Sequence, residues 1–462
     1  MTLALVVAGA AQPAAPSSAR PAVPPAAPPA AGHAQQACGW SDKLSSETRN
    51  LLFIDTAATY WSATVEVPDG AHIEVRGDFP RARYLSLVTY DVRGRTIDHL
   101  TDTEIDPDPG SVNPFRSGAS RTATDRRYTV RVVNERVPAA GPAPNTLYTE
   151  NADGSRSTRA TREARLTLRV YTPDAGTDEA GGVPLPLITV VLPSGERIAR
   201  PPCLDATTAP VEGAGFSVPG GGGTDPPAWE RFLPDGLGEN VDNAYVVETF
   251  MTAHGEVLAL EARAPTFPST RDGDAEMGTG QVRYWSMCTN LLTTAVLECV
   301  QDEDVPVDAA GSFTIVVSRP DARPANATTE CGVAWLPAAP DTDTILVYRH
   351  MLPDPSFAEA IQNVGPGTGE RTMGVYYPRG TYYATADAYE RLGCERPAAP
   401  EAASAGRDEG SSDGGTTTGT RQLPRWLPAG VALGLALVAA GAVVLVRRAT
   451  SGGRRGLRGR RG

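Results

Sequence analysis

Arg83 stands 19 residues before Asp102, and Arg283 stands 19 residues before Asp302. A guanidinium and a carboxylate can form a bidentate pair of fixed geometry. The repeated spacing allows two readings. In the first, each arginine meets the aspartate of its own repeat across a sheet and fixes strand register. In the second, Arg83, Asp102, Arg283, Asp302 and Trp285 line a twice-built polar pocket for a glycan or another envelope ligand. The first is preferred, because duplicated residues encode a fold more often than a site.

Asp102, Glu104, Asp106 and Asp108 alternate along the chain. On an extended segment they share one side, and oxygen clusters suit Ca²⁺. Against a calcium loop, Pro107 stands where such a loop takes glycine, and no glutamate closes it. A solvated acidic loop is the plain alternative. The five histidines are scattered, with none four residues from another. No nucleophile elbow, zinc-helix motif or phosphate-binding glycine loop occurs. No cofactor is read, and whether the chain is an enzyme stays open. The aromatic residues Tyr84, Tyr284, Trp285, Trp335, Tyr376, Tyr377, Tyr382 and Tyr383 suit either sugar stacking or a core. An envelope-acting glycan hydrolase using acids around Asp102 and Asp302 is the alternative function. It requires two carboxyls facing across about 5–10 Å.

These residues sit within a longer echo. Arg83-Tyr84-Leu85-Ser86 returns as Arg283-Tyr284-Trp285-Ser286. His72–Arg76 corresponds to Val257–Glu261, Tyr128–Val132 to Phe313–Val317, and Arg169–Pro173 to Arg349–Pro353. Shared order with unequal gaps indicates duplication followed by loop change. Strand signals dominate both copies: Tyr60–Val67, Ala71–Arg76, Tyr84–Val92, Tyr128–Val133, Leu166–Tyr171 and Leu187–Leu192 in the first. The second gives Ala244–Phe250, Val257–Arg263, Val282–Thr289, Ala295–Val300, Phe313–Ser318 and Thr344–Arg349. Helical periodicity is confined to Ser45–Phe53, Ser356–Val364 and Ala384–Leu392. The fold class is therefore mostly β, two tandem pseudo-repeats forming a double β-sandwich or jelly-roll-like ectodomain.

The ends divide the chain further. Residues 1–11 resemble a secretory signal without its charged region, as if the start lies inside a longer one. Residues 12–36 are an Ala/Pro linker. Repeat 1 spans 37–212, a Gly/Pro crossing 213–240, and repeat 2 241–396. Residues 397–425 read as a disordered stalk. Residues 426–446 carry no charge and, at about 31 Å as a helix, match a bilayer core. The arginine-rich tail, 447–462, marks the cytoplasmic side. The expected location is the plasma membrane, single-pass, with the N-terminal domain extracellular and the lipid bilayer a partner.

The seven tail arginines carry +7 of the net −12, so the remainder stands at −19. Such an acidic body is a poor nucleic-acid binder, since phosphate recognition rests on Lys and Arg. Cys38, Cys203, Cys288, Cys299, Cys331 and Cys394 give an even count suited to three disulfides outside the cytosol. Six cysteines allow about fifteen pairings. Cys288 with Cys299, flanking a hairpin turn, is the best single pair; Cys38 with Cys394 would tie the ends together.

Gly77–Ser86, Pro107–Phe115 and Asn145–Tyr148 resemble segments of a group of uncharacterised secreted bacterial proteins. Arg283–Ser286, Trp335-Leu336-Pro337 and Arg349 with Pro353 resemble the bacterial domain of unknown function 1214, which pairs with its relative 1254. The resemblance covers most of residues 38–394. It implies a double β-sandwich-like body and brings no activity. The function expected from the whole sequence is a membrane-anchored envelope binding or structural protein, its partner a cell-wall glycan or another envelope protein.

Overall fold

The first half contributes ten strands. They are β1 (Asp42–Leu44), β2 (Ala58–Glu66), β3 (His72–Asp78), β4 (Ala82–Tyr90), β5 (Thr96–Thr101), β6 (Arg127–Arg136), β7 (Thr146–Glu150), β8 (Glu163–Pro173), β9 (Leu187–Val191) and β10 (Arg197–Arg200). The second half contributes β11 (Glu230–Phe232), β12 (Asn243–Phe250), β13 (Val257–Arg263), β14 (Tyr284–Asn290), β15 (Val296–Gln301), β16 (Ser312–Ser318), β17 (Ala334–Pro337), β18 (Thr344–Met351) and β19 (Arg379–Tyr383). The structure is a computed structural model and describes residues 38–203, 222–233 and 238–394. These belong to one compact unit.

The sheets repeat strand for strand. The order β1-β2-β8-β4-β5 in the first half becomes β11-β12-β18-β14-β15 in the second. The order β10-β9-β3-β6-β7 becomes β19-β13-β16-β17, read from the other end and without a counterpart of β10. Register is kept too: Ser86 pairs with Thr101 and Arg169, Ser286 with Gln301 and Arg349. The bulge between Thr89 and Tyr90 returns between Thr289 and Asn290. β6–β7 and β16–β17 are the parallel pairs.

Each half is a sandwich. Trp61, Leu85, Leu87 and Leu168 from one sheet pack on Ile73, Val75, Val130 and Ile188 from the other. Trp285, Met287 and Tyr348 meet Leu258, Leu260 and Ile315 in the second half. β4 and β14 are buried at every residue. Side chains alternate faces along a strand, so Leu85 and Leu87 fill their own core while Tyr84 faces the opposite half. There Ala58, Tyr84, Tyr171, Tyr284 and Met351 form a small cluster between the sandwiches. The outer faces of β4 and β14 therefore meet each other.

The segments leading into β2 and β12 cross reciprocally. Phe53 N donates to Thr294 O at 3.0 Å, and Gly238 N donates to Gly94 O at 3.0 Å. Leu52 and Phe53 hold positive φ of 66° and 55° to make this crossing. The helix expected over Ser45–Phe53 is consequently absent: Asn50 bonds the backbone of Val296 on the other half, at 2.8 and 2.7 Å. Ser356–Val364 yields only a single 3₁₀ turn, Ile361–Asn363. The third expected helix exists as α1 (Ala386–Glu390), with Thr385 Oγ1 accepting from Ala388 N. The Gly/Pro crossing is not wholly irregular, since β11 lies within it and pairs with β12.

The disulfides join Cys38 to Cys203, Cys288 to Cys299 and Cys331 to Cys394. The expected tie between Cys38 and Cys394 is thus corrected: each half closes on itself. Cys288 and Cys299 sit directly opposite on β14 and β15, which explains why they bridge. Among the described residues no helix is long and apolar enough to cross a membrane. The segments 1–11, 12–36, 397–425, 426–446 and 447–462 lie outside the described residues.

Candidate functional site

The four repeated charges come together between the halves, in exchanged pairs. Arg83 Nη1 donates to Asp302 Oδ1 at 2.6 Å, and Arg283 Nη1 reaches the Asp102 carboxylate at 3.3 Å. The expectation that each arginine meets its own repeat's aspartate is corrected. Each aspartate instead accepts from the backbone of its own repeat, Asp102 from Leu85 N and Asp302 from Trp285 N, both at 3.1 Å. Each holds its own strand with one oxygen face and the other half's arginine with the rest. Burial pushes both carboxyls up to about 6, against the pull of the neighbouring guanidinium. Asp102 is fully buried and Asp302 nearly so. Trp285 lies in the core of the second sandwich, stacked on Phe313.

The four alternating acids do not gather. Asp102 takes Arg283, Glu104 Oε2 accepts from Thr101 N at 2.9 Å, Asp106 pairs with Arg116 at 2.7 Å, and Asp108 accepts from Thr129 Oγ1 at 3.1 Å. Among the described residues, the group with metal-site spacing is Asp55 with Cys288 and Cys299, whose sulfurs are bonded to each other. The acidic loop is organised by Asn113, which sequence reasoning did not single out as a structural residue. Its amide donates to Asp102 O and Ile105 O at 2.7 and 2.8 Å and accepts from Phe115 N at 2.9 Å. Asn113→Ala strands these buried groups. It is expected to cost about 2 kcal/mol, read as a lower urea midpoint at unchanged m-value.

A cavity of about 320 Å³ opens at the same junction, and neither Asp102 nor Asp302 lines it. Its wall combines Tyr60, Tyr90, Arg165, Arg169 and Tyr171 from the first half with Gly238, Asn240, Tyr245 and Arg349 from the second. Leu44, Leu52, Phe53 and Ile54 add an apolar side. The volume lies at the small end of the range for ligand sites, which are mostly apolar with a few convergent polar groups. Arg349 is anchored at 3.1 Å to Asp55. Arg169 Nη2 donates to Tyr90 Oη and, at 2.7 Å, to Gly238 O. Tyr60 and Tyr90 lie against its guanidinium at 5.5 and 5.6 Å from their ring centres. Burial raises the Tyr60 and Tyr90 phenols and pushes Tyr245 up to about 12, so these rings remain neutral.

The cavity was not foreseen from sequence. Its one visible signal was the recurrence of Arg169 as Arg349, read there only as a repeat marker. Chemically, the arrangement can hold a small amphipathic ligand between aromatic walls and guanidinium donors.

No family model matches the chain, and no curated protein matches it. Among solved structures it is similar to an uncharacterised protein from Burkholderia cenocepacia, at 15% identity and a TM-score of 0.45, covering 77% of this chain and 85% of that one. It is also similar to a Vibrio parahaemolyticus protein, at 11% identity and a TM-score of 0.36, covering 72% and 90% respectively. At TM-scores below 0.5 neither likeness bears on function.

Proposed function

We propose that this chain is a cell-envelope binding protein: a rigid pair of β-sandwiches, exported, held at the plasma membrane by residues 426–446, with its ligand site between the halves. The observation that carries the binding role is the roughly 320 Å³ cavity, formed where two otherwise closely packed sandwiches leave space. Three disulfides with no free cysteine support an oxidising compartment. The ligand is a component of the envelope, drawn from its glycans or its proteins.

The geometry of the two acids gives less support to the hydrolase reading. Asp102 and Asp302 are buried, each engaged by a guanidinium and a backbone N–H, and neither reaches the cavity. Protease added to intact cells is expected to remove the disulfide-bonded body and leave a small membrane-bound fragment. A body that resists digestion until lysis would refute the external location.

A further inference from the structure

We infer that the cavity is a carboxylate-binding site built on Arg169, and that its ligand carries that carboxylate on a ring. The inference rests on the binding role proposed above and names the ligand class for that site.

The duplication supplies the argument. Asp55 and Asn240 are equivalent positions. Ala58 N donates to Asp55 O as Asn243 N donates to Asn240 O, at 3.1 and 3.0 Å. Ala57 N reaches Asp55 Oδ1 at 2.9 Å, and Asp242 N reaches Asn240 Oδ1 at 3.2 Å. Tyr284 Oη donates to Asp55 Oδ2 at 2.9 Å, and Tyr84 Oη lies 3.1 Å from Asn240 Oδ1 while donating to Asp242 Oδ2 at 2.6 Å. Arg349 and Arg169 are likewise equivalent, each opposite the matching serine of β14 or β4. In one copy Arg349 has the Asp55 carboxylate at 3.1 Å. In the other the matching carboxylate is replaced by a neutral amide.

The consequence is visible in the unpaired donors. Arg169 is 2% exposed, and among the described residues no carboxylate lies within ion-pair distance of it. Its Nε and Nη1 are buried without partners, as are Arg349 Nε, Arg165 Nε and Asn240 Nδ2, all on residues lining this cavity. Ser86 Oγ is also unpartnered, whereas its twin Ser286 Oγ donates to Asp55 at 2.6 Å. The carboxylates nearby are committed elsewhere. Asp91 holds Arg95, Asp242 accepts from Tyr84 and Thr101, and Glu239 accepts from Thr96 N. Arg169 Nη2 is satisfied by Tyr90 Oη and Gly238 O, but its charge has no opposite charge beside it, which is unfavourable in a buried site. A guanidinium offers a planar fork that fits a carboxylate with two parallel bonds. With Asn240 filling the place of Asp55, a ligand carboxylate reaching Arg169 from the cavity would supply the opposite charge that Arg349 receives from Asp55. The surrounding tyrosine rings then take a flat or ring-shaped body, which a sugar acid and an aromatic acid both provide.

The test is thermal unfolding of the full-length protein in detergent, followed by tryptophan fluorescence, with glucuronate, benzoate, acetate or phosphate. Glucuronate or benzoate is expected to raise Tm saturably, and acetate to act at least ten-fold more weakly. Asn240→Asp restores the missing carboxylate, and should raise Tm without ligand and weaken ligand binding at least ten-fold. Arg169→Met should also weaken binding ten-fold, and it covers the case in which Asn240→Asp perturbs folding. No response to either ring acid, or an unchanged response in both variants, overturns the site. Phosphate acting alone overturns the carboxylate class. Benzoate acting without glucuronate leaves the site standing and counts against a glycan ligand. Cell-surface protease sensitivity is read separately, so the location and the site can fail independently.

Discussion

Arg83→Met is expected to lower the unfolding free energy by about 3–5 kcal/mol, the range for removing one partner of a buried ion pair. Arg83 lies fully buried with Asp302 at 2.6 Å, Glu303 at 2.6 Å and Thr270 Oγ1 at 3.2 Å, all supplied by the opposite half. Its loss leaves Asp302 buried with only backbone donors. Asp302→Leu alone should be similarly damaging, because it strands the guanidinium. The double variant should cost well below the sum, since apolar pairs often replace buried ion pairs at little cost. A double-mutant cycle in guanidinium chloride measures the difference. Additive losses would show that the two residues do not act as a pair. Arg283→Met should cost less, because its contact with Asp102 is longer, at 3.3 Å, and its side chain is partly exposed.

The second large effect concerns pH. His350 is fully buried on β18; its Nδ1 accepts from Ile361 N at 3.2 Å and its Nε2 lies 3.1 Å from Tyr348 Oη. Burial, with Arg231 adding to it, pushes the imidazole down to about 3. A neutral folded imidazole costs nothing above the unfolded value of about 6.5. Below it the unfolded chain takes up a proton that the folded one refuses, so stability falls as pH drops from about 6.5 towards 3. Asp102 and Asp302 act in the opposite sense. Their folded values near 6 exceed the unfolded value of about 3.9. Their contribution is present below pH ~4 and lost as pH rises through about 6. The two effects overlap, so the wild-type profile alone conceals both. His350→Asn, which keeps an acceptor near Ile361 N, isolates the first. Between pH 7 and 4.5, wild type should lose about 3 kcal/mol more than this variant. Equal pH slopes would show that His350 titrates normally.

Much of the architecture was legible because duplication writes structure twice. The offset linking Arg83–Ser86 to Arg283–Ser286 is the offset that places the paired bulges at Thr89/Tyr90 and Thr289/Asn290. The strands that escaped notice are short or carry turn-like residues. β7 has five residues and pairs parallel to β6, while β19 begins after Pro378 and contains Gly380. β11 is three residues inside a stretch dominated by Gly and Pro. The segment 45–53 has helical spacing, but its partners are Val296 and Thr294, more than 240 residues away. Local periodicity carries no trace of such partners. The charged quartet was legible as a set and misassigned in its pairing, because spacing within a repeat cannot reveal that the repeats exchange partners. The cavity was hidden for a related reason. Arg169 and Arg349 were aligned, but Asp55 precedes the first aligned strand and so was never set against Asn240.

The reciprocal crossing of the segments before β2 and β12 has the form of an isologous contact, in which one patch meets its own copy about a two-fold axis. An ancestor with one repeat would have met this requirement as a homodimer, each subunit lending its leading arm to the other. In such an assembly every substitution appears twice, and no position can differ from its mate. Two copies in one polypeptide carry no such constraint. Asp55 and Asn240 are one such pair of unlike mates, and they make the two sides of the junction chemically different.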